Sequence, residues 1–444
     1  PGFIEKKVSA KCNGEYKGRP QTIYSGSYGY TDDFSHFQVE SFTMQCWIWP
    51  TTPKTHPKYW RHGAQGLMTK WCNGKGYGLF INEDGCLELR INNKKVTTGA
   101  PIRDHAWHFV AATFDAKTGK ATLYHEPQIQ YALDPDIPPV TEKISGKIQH
   151  TEGVPFAVAA YADGASSNAQ AQASRPAGMI MTGHYNGKID SPRLCRKALS
   201  RQDIETMKLG AQPGLTERRH CGPTGPLSEA IVGSWDFSDG INTMVGMDHG
   251  PYLYDLEIVN CPTRAMTGHN FTGHNFDWKH APEEYGAIHF HDDDVDDARW
   301  DVDFEWDVPA GTDSKFYAAK LTTDAGDEDY IPFWVVPHIG EETAKIAYMV
   351  PTISYMAYAN EHLANNAGGA ELLVYRVPIM QDQNMFLSEH REYGGSIYDT
   401  HTDCSGLCLS SRLRPNLIIL AKYDHFLIQS PWKYPDDIHI IYWL

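Results

Sequence analysis

The sequence predicts a mainly β protein: a two-sheet antiparallel sandwich, then a further β-rich segment, then a C-terminal stretch that opens an α/β portion. Three observations carry this. From about Ser41 to Asp203, short runs alternate apolar and polar residues with the period of two that half-buried strands require. Asp-Gly and Thr-Gly turns join these runs into hairpins at short spacing. From Lys345 the texture changes to a short apolar run followed by a helix-length stretch.

With 444 residues the chain exceeds one compact core, so several units are expected. Residues 1–36 read as an N-terminal arm or the remnant of a preceding domain. The sandwich is assigned to 37–209. Phe42, Met44, Cys46 and Ile48 alternate with Ser41, Thr43, Gln45 and Trp47, the pattern of a half-buried strand. Gly78–Ile81 and Cys86–Ile91 form a hairpin across Asn82-Glu83-Asp84-Gly85, where glycine supplies a positive φ. Trp107–Asp115 and Ala121–Tyr124 form another across Lys117-Thr118-Gly119-Lys120. Two sheets packed face to face accommodate these strands.

A Gly- and Pro-rich hinge occupies 210–226, and a β-rich segment opening with Ile231–Phe237 fills 227–340. Within it, His289-Phe290-His291 precedes an acidic run through Asp297. His-x-His beside carboxylates can bind a divalent ion, but such a run more commonly forms a solvated loop, which is the expectation here. Residues 341–444 are read as the incomplete start of an α/β domain. There Ile346–Pro351 is expected as a short buried strand, Ser354 as the residue preceding a helical stretch that reaches Leu363, and Asp437 as the cap of a second helix from Ile438.

A formal charge of −16 disfavours nucleic acid, which is bound through clustered Lys and Arg, so a small neutral or cationic ligand is favoured. No apolar run reaches the roughly 18 residues of a membrane helix, and no membrane association is expected. Nine cysteines, without paired CxxC spacing, suggest reduced thiols and a cytoplasmic location; Cys46 and Cys86 sit in strand-like runs and are expected to be buried. The chain opens on Pro1 rather than Met and stops inside an apolar run at Leu444, so a fragment is expected.

The strand Trp107–Asp115, its tight turn and Ala121–Tyr124, together with Gly187-Lys188-Ile189-Asp190, resemble the laminin-G or concanavalin-A-like sandwich over Phe42 to Leu199. Such a domain either binds a carbohydrate or partner, or serves structurally to pack subunits together, the second being the expectation.

Five stretches in order are more specific: His184–Asp190; Glu284–Asp292 with Asp297–Trp300; Phe316–Lys320 with Glu328–Val335; Ser354–Glu361; and Tyr398–Asp403 with Ser410–Pro415. Together they resemble the N,N-dimethylformamidase large (beta) subunit family from Phe37 onward. The resemblance implies a metal-dependent amidohydrolase that converts small formamides to formate and an amine at a mononuclear iron held by two tyrosines and a glutamate. By motif the tyrosines are Tyr358 and Tyr398. The glutamate and a neighbouring histidine belong to a His-Pro-Glu segment that this sequence lacks, so the catalytic His and Glu are expected beyond residue 444. A small partner subunit and homo-oligomerisation of large/small pairs are further implied.

The chemistry is physically reasonable. A phenol near pKa 10 keeps its proton at neutral pH unless a hard ion such as Fe3+ displaces it, and such an ion can polarise an amide carbonyl. Asn360 is a candidate for the pocket's surroundings. His401 and Asp399 flank Tyr398; they can orient it or relay a proton, but a solvated histidine and a turn-forming aspartate are the expectation. The competing reading is a noncatalytic β-sandwich binding or scaffold subunit that has lost the reaction centre, and a glycan-binding lectin is a third.

Overall fold

The structure is a computed structural model that describes residues 22–54, 63–132, 134–165, 178–208, 227–302, 304–363, 372, 375, 377, 379–419, 423–427 and 433–443. The expected hinge, residues 210–226, lies outside the described residues, as does most of the expected N-terminal arm. Two compact units emerge: a sandwich unit of Ser25–Val295 with His401–Ser405, and a C-terminal unit of Pro1–Tyr24, Asp296–Thr400 and Gly406–Leu444.

One sheet of the sandwich runs through β6 (Lys94–Pro101), β5 (Cys86–Ile91), β4 (Lys75–Ile81), β3 (Gln65–Cys72), β10 (Phe156–Val158), β1 (Tyr28–Thr31), β16 (Leu256–Val259) and β15 (Val245–Asp248), each antiparallel to its neighbour. The short β11 (Tyr161–Ala165) and β12 (Met179–Thr182) pair with each other, and β11 joins β3 in parallel. The second sheet runs through β9 (Val140–Lys143), β8 (Lys120–Pro127), β7 (His108–Asp115), β2 (Phe42–Pro50) and β13 (Gly187–Cys195). The free edge of β13 is then divided. Gly187–Asp190 pairs with β18 (Ala287–Phe290), and Arg193–Cys195 pairs with β14 (Ile231–Asp236). A register shift between Asp190 and Arg193, with Ser191 at φ 50, turns the strand from one partner to the other. β17 (Thr263–Met266) flanks β18.

Both predicted hairpins are present, with Gly85 at φ 77 and Gly119 at φ 71 in the turns. Phe42, Met44, Cys46 and Ile48 of β2 enter the main core with Leu79, Leu87 and Leu89. The opposite face of β2 is also covered, contrary to the half-buried expectation. Trp47 packs there with Phe109, Ile204 and Met207, the last two from helix α1 (Arg201–Lys208). Strands β14 to β18, drawn from the segment expected to follow the sandwich, are hydrogen-bonded into it. Cys46 and Cys86 are buried free thiols.

The C-terminal unit contains the antiparallel hairpin β19 (Phe316–Thr322) and β20 (Glu328–Trp334). It also has helices α2 (Thr352–Ala357), α3 (Asp382–Glu389) and α4 (Tyr434–Trp443). Tyr434 stacks on Phe316 and meets Trp334 and Tyr355 edge-on, which ties the hairpin to α4 and α2. Residues 346–350, expected as a buried strand, form none. Met349 is 91% exposed, and among the described residues no neighbouring strand supplies the pairing a strand needs. The helix expected to reach Leu363 stops at Ala357, because Asn360 adopts φ 56, a left-handed conformation that asparagine tolerates and that breaks helical continuation. Asp437 lies in the first turn of α4 rather than at its cap. No described helix is long and apolar enough to cross a membrane.

Candidate functional site

In the C-terminal unit Tyr358 follows α2 directly, and its N–H still reaches the Ser354 carbonyl at 3.3 Å. Tyr398 arrives on a loop that several bonds fix to the end of this helix. Ile397 N–H donates to the Ala357 carbonyl at 3.0 Å. Asp399 Oδ2 accepts from the Ser396 N–H and hydroxyl, both at 2.8 Å, and from the His362 N–H at 2.9 Å. The buried Arg414 guanidinium donates to the Gly395 carbonyl at 2.6 Å and to Ser410 Oγ at 2.9 Å, and Ser410 in turn donates to the Met356 carbonyl. Charge-assisted and backbone bonds of this kind hold a loop more tightly than side-chain packing alone.

The result is a pair. The rings of Tyr358 and Tyr398 lie 4.5 Å apart between centroids at 31°, and their hydroxyls share a hydrogen bond that, with burial, raises the Tyr358 phenol above its ordinary pKa. Lys433 Nζ sits 4.0 Å from the Tyr358 ring centroid. Tyr398 remains 54% exposed. Tyr355, on the same helix, is different: it is buried and donates to Asp437. Asn360 serves the scaffold, donating to the carbonyls of Tyr393 and Pro415 and accepting from Leu417 N–H.

Two phenol rings brought together from separate parts of the chain offer neighbouring oxygen donors of the kind a hard ion prefers. The tyrosine pair therefore fits part of a ligand set for a hard metal. Glu361, which sequence reasoning did not put forward, is 1% exposed and receives the Tyr423 hydroxyl at 2.6 Å and Leu363 N–H at 2.9 Å. Burial pushes its carboxyl up to about 7, although both hydrogen bonds act in the opposite direction. Its position after Tyr358 was visible in the sequence, but its burial was not.

The sandwich unit holds a second cluster. His289 and His291 lie at alternate positions along and just beyond β18, so both side chains leave the same face. The segment His401–Ser405 meets them. Asp403 Oδ2 lies 3.2 Å from His289 Nε2 and 3.9 Å from His291 Nε2, and Ser405 Oγ lies 3.0 Å from His291 Nε2. Asp294 Oδ2 is 3.1 Å from His291 Nδ1 and accepts from Ser27 Oγ at 2.6 Å. His401 is not the solvated residue expected. It is 4% exposed, stacks on His291 at 3.6 Å between centroids, and bonds through Nδ1 to Asp293 at 2.7 Å. The acidic run is likewise no solvated loop, since Asp294 is buried.

Charge in this cluster is distributed unequally. Burial holds His289 down at about 4 in spite of its bond to Asp403. Burial also opposes charge on His291, but Asp294, Asp403 and Asp293 outweigh it and lift that imidazole to about 9. Asp403 is desolvated too, yet its bonds to His289 and Ser405 and the charge of His291 keep it well below the usual carboxylate range. No spacing rule links His289 to Asp403, so folding alone reveals the group.

Residues 24–126 match the concanavalin A-like lectin/glucanases superfamily, the class to which the sandwich belongs. Residues 263–444, covering the acidic run and both tyrosines, match the family described as N,N-dimethylformamidase beta subunit-like, C-terminal. The whole chain aligns with the N,N-dimethylformamidase beta subunit of Paracoccus aminophilus at 32% identity and with that of Alcaligenes sp at 30%. The chain is thus similar over its whole length to N,N-dimethylformamidase beta subunits. It spans 57% of the length of each of these two relatives.

Proposed function

We propose that this chain is part of the large subunit of an amide hydrolase that converts small formamides such as N,N-dimethylformamide to formate and an amine. The pairing of Tyr358 with Tyr398 carries this reading, because it joins two hard oxygen donors from separate parts of the chain beside a solvent-exposed ring. Tyr358 and Tyr398 would hold a mononuclear iron, Fe3+ at rest, together with a glutamate from a His-Pro-Glu segment that this sequence does not contain. When bound, the ion supplies Lewis acidity toward an amide carbonyl.

The chain's own residues have definable tasks. The Ser396–Asp399 turn and Arg414 orient Tyr398, and the Lys433 ammonium over the Tyr358 face favours negative charge on that ring's oxygen. Glu361, poised near neutrality, can retain or release a proton at its carboxyl oxygens in the working pH range. The beta-subunit name of the relatives motivates a small partner subunit and further association of large/small pairs, with the sandwich as a packing domain. A cytoplasmic setting suits the free thiols found among the described residues.

The test uses the complete natural protein. A broad visible phenolate-to-ferric band that a chelator abolishes, accompanied by formate release from N,N-dimethylformamide, is expected. Iron retained at full stoichiometry in both Tyr358→Phe and Tyr398→Phe would overturn the ligand assignment.

A further inference from the structure

We propose that the sandwich unit contains a structural metal site for a divalent transition ion of the zinc class, formed by His289 Nε2, His291 Nε2 and Asp403 Oδ2 with Ser405 Oγ as the fourth donor. Four potential donor atoms converge in a buried place. A tetrahedral zinc ion with ligand bonds of about 2.0–2.1 Å separates its donors by roughly 3.3 Å. The observed separations of 3.2 Å, 3.9 Å and 3.0 Å lie around that value before any ion draws the groups together.

The groups behind these donors are those that such a site needs. Asp294 accepts from Nδ1–H of His291, which orients the ring so that its Nε2 faces Asp403 and Ser405, where a bound ion would replace the Nε2 proton. Asp294 is itself held by the Ser27 hydroxyl, and Asp403 Oδ1 accepts from Ser405 N–H at 2.9 Å and from its hydroxyl at 2.5 Å. The neighbouring trio His291, Asp294 and His401 is also close enough to share an ion. Its two imidazoles, however, are stacked 5° from parallel, so their in-plane lone pairs run side by side instead of converging. The His289 and His291 rings are tilted by 38° and can aim at one point.

The consequence is a clasp. Two histidines at the end of β18 would be joined through the ion to a segment more than a hundred residues later in the chain, a long closure that a metal bond secures as a cross-link does. The site does not draw on the tyrosine pair, so the two metal assignments stand or fall separately.

The experiment treats the intact chain, carrying Tyr358→Phe and Tyr398→Phe to remove the phenol donors, with a chelator and then titrates it with Zn2+, with Co2+ as a spectroscopic probe. One equivalent of Zn2+ bound, an intense four-coordinate Co2+ spectrum and a rise in Tm on metal addition are expected. His291→Gln and Asp403→Asn should abolish stoichiometric uptake. Asp294→Asn, which keeps every ligand, should weaken affinity 10- to 100-fold, the usual range when an orienting partner is lost. Should the folded parent protein take up no equivalent of either ion, or Asp403→Asn bind as tightly as its parent while still folded, the proposal fails. The uptake result for the parent decides the matter even if a ligand variant does not fold.

Discussion

Tyr358 and Tyr398 face each other with ring centroids 4.5 Å apart, while Tyr355, one helical turn before Tyr358, points its hydroxyl at Asp437 instead. The two tyrosines of α2 and its C-terminus thus have separable tasks. Tyr358→Phe or Tyr398→Phe removes a hydroxyl that faces the other tyrosine, so on the proposed function iron content and amide hydrolysis should be lost with a stability change under about 1 kcal/mol. Tyr355→Phe strips a part-buried bond to the Asp437 carboxylate and should cost about 1–2 kcal/mol of stability without affecting the Tyr358 and Tyr398 pair. Metal analysis and thermal unfolding of the three variants check both halves.

Glu361 makes the C-terminal unit lose stability as pH rises toward neutrality. Its folded carboxyl is raised from 4.5 to about 7, so the folded state binds more protons than the unfolded chain between those values. The stabilisation is fully present below about pH 4.5 and is lost as pH rises through 7, amounting to roughly 3 kcal/mol at 1.4 kcal/mol per tenfold change in proton affinity. Glu361→Gln keeps the shape and an acceptor for Tyr423 without the charge. The variant should therefore lack the decline that Glu361 gives the parent between about pH 4.5 and 7, as measured by denaturant unfolding at each pH.

Residues with local signals were legible from sequence. The alternation of Phe42 to Ile48 and the turns at Gly85 and Gly119 fixed strands and hairpins, because a period of two and a positive φ are properties of neighbouring residues. Tyr358 and Tyr398 were named by a family motif and by no local signal, and the structure brings their two rings together while Tyr355 bonds Asp437. The coverage of Trp47 was missed, since it depends on α1 folding back over the sheet. His401 and Asp294 were misread as solvated for the same reason. Their burial comes from pairing His401–Ser405 with residues 289–294, and polar residues carry no sequence signal for a partner so distant. The strand expected at 346–350 failed because an apolar run specifies burial only when something lies beside it.

Gly187 opens β13 at φ 139, where an added Cβ would lie 2.5 Å from the Trp49 carbonyl oxygen and 2.7 Å from the Tyr185 hydroxyl. Both neighbours are held within the sandwich and cannot give way cheaply. Gly187→Ala should therefore cost about 2–4 kcal/mol, from backbone strain and overpacking together. Adjacent Asn186 accepts from Asp292 N–H and donates to Thr402, so the disturbance should also loosen the His289 and Asp403 cluster. Hydrogen exchange would show faster amides at residues 291–294 and 402–405; unchanged protection there, with lower Tm, would confine the effect to β13.

His108 and His125 give the sandwich unit the opposite pH response. His108 Nε2 lies 2.9 Å from the Arg103 carbonyl oxygen and must donate to it, which leaves Nδ1 to accept from His125 Nε2–H at 3.0 Å. Both rings are therefore neutral in the fold, and burial pushes them down to about 4 for His108 and about 3 for His125. Unfolding exposes imidazoles that protonate near 6.5, so the unfolded state binds more protons below that value. Their contribution is complete above pH 6.5 and is lost as pH falls toward 4, by a few kcal/mol. His125→Gln retains a donor for His108 Nδ1 and removes one titrating ring, so it should flatten the acid limb of the stability profile with little change at neutral pH. Glu361 and the two histidines act with opposite sign over windows that overlap between about pH 4.5 and 6.5, so the double variant with Glu361→Gln should change the profile by the sum of the two single effects, and a departure from that sum would place the titrating groups elsewhere.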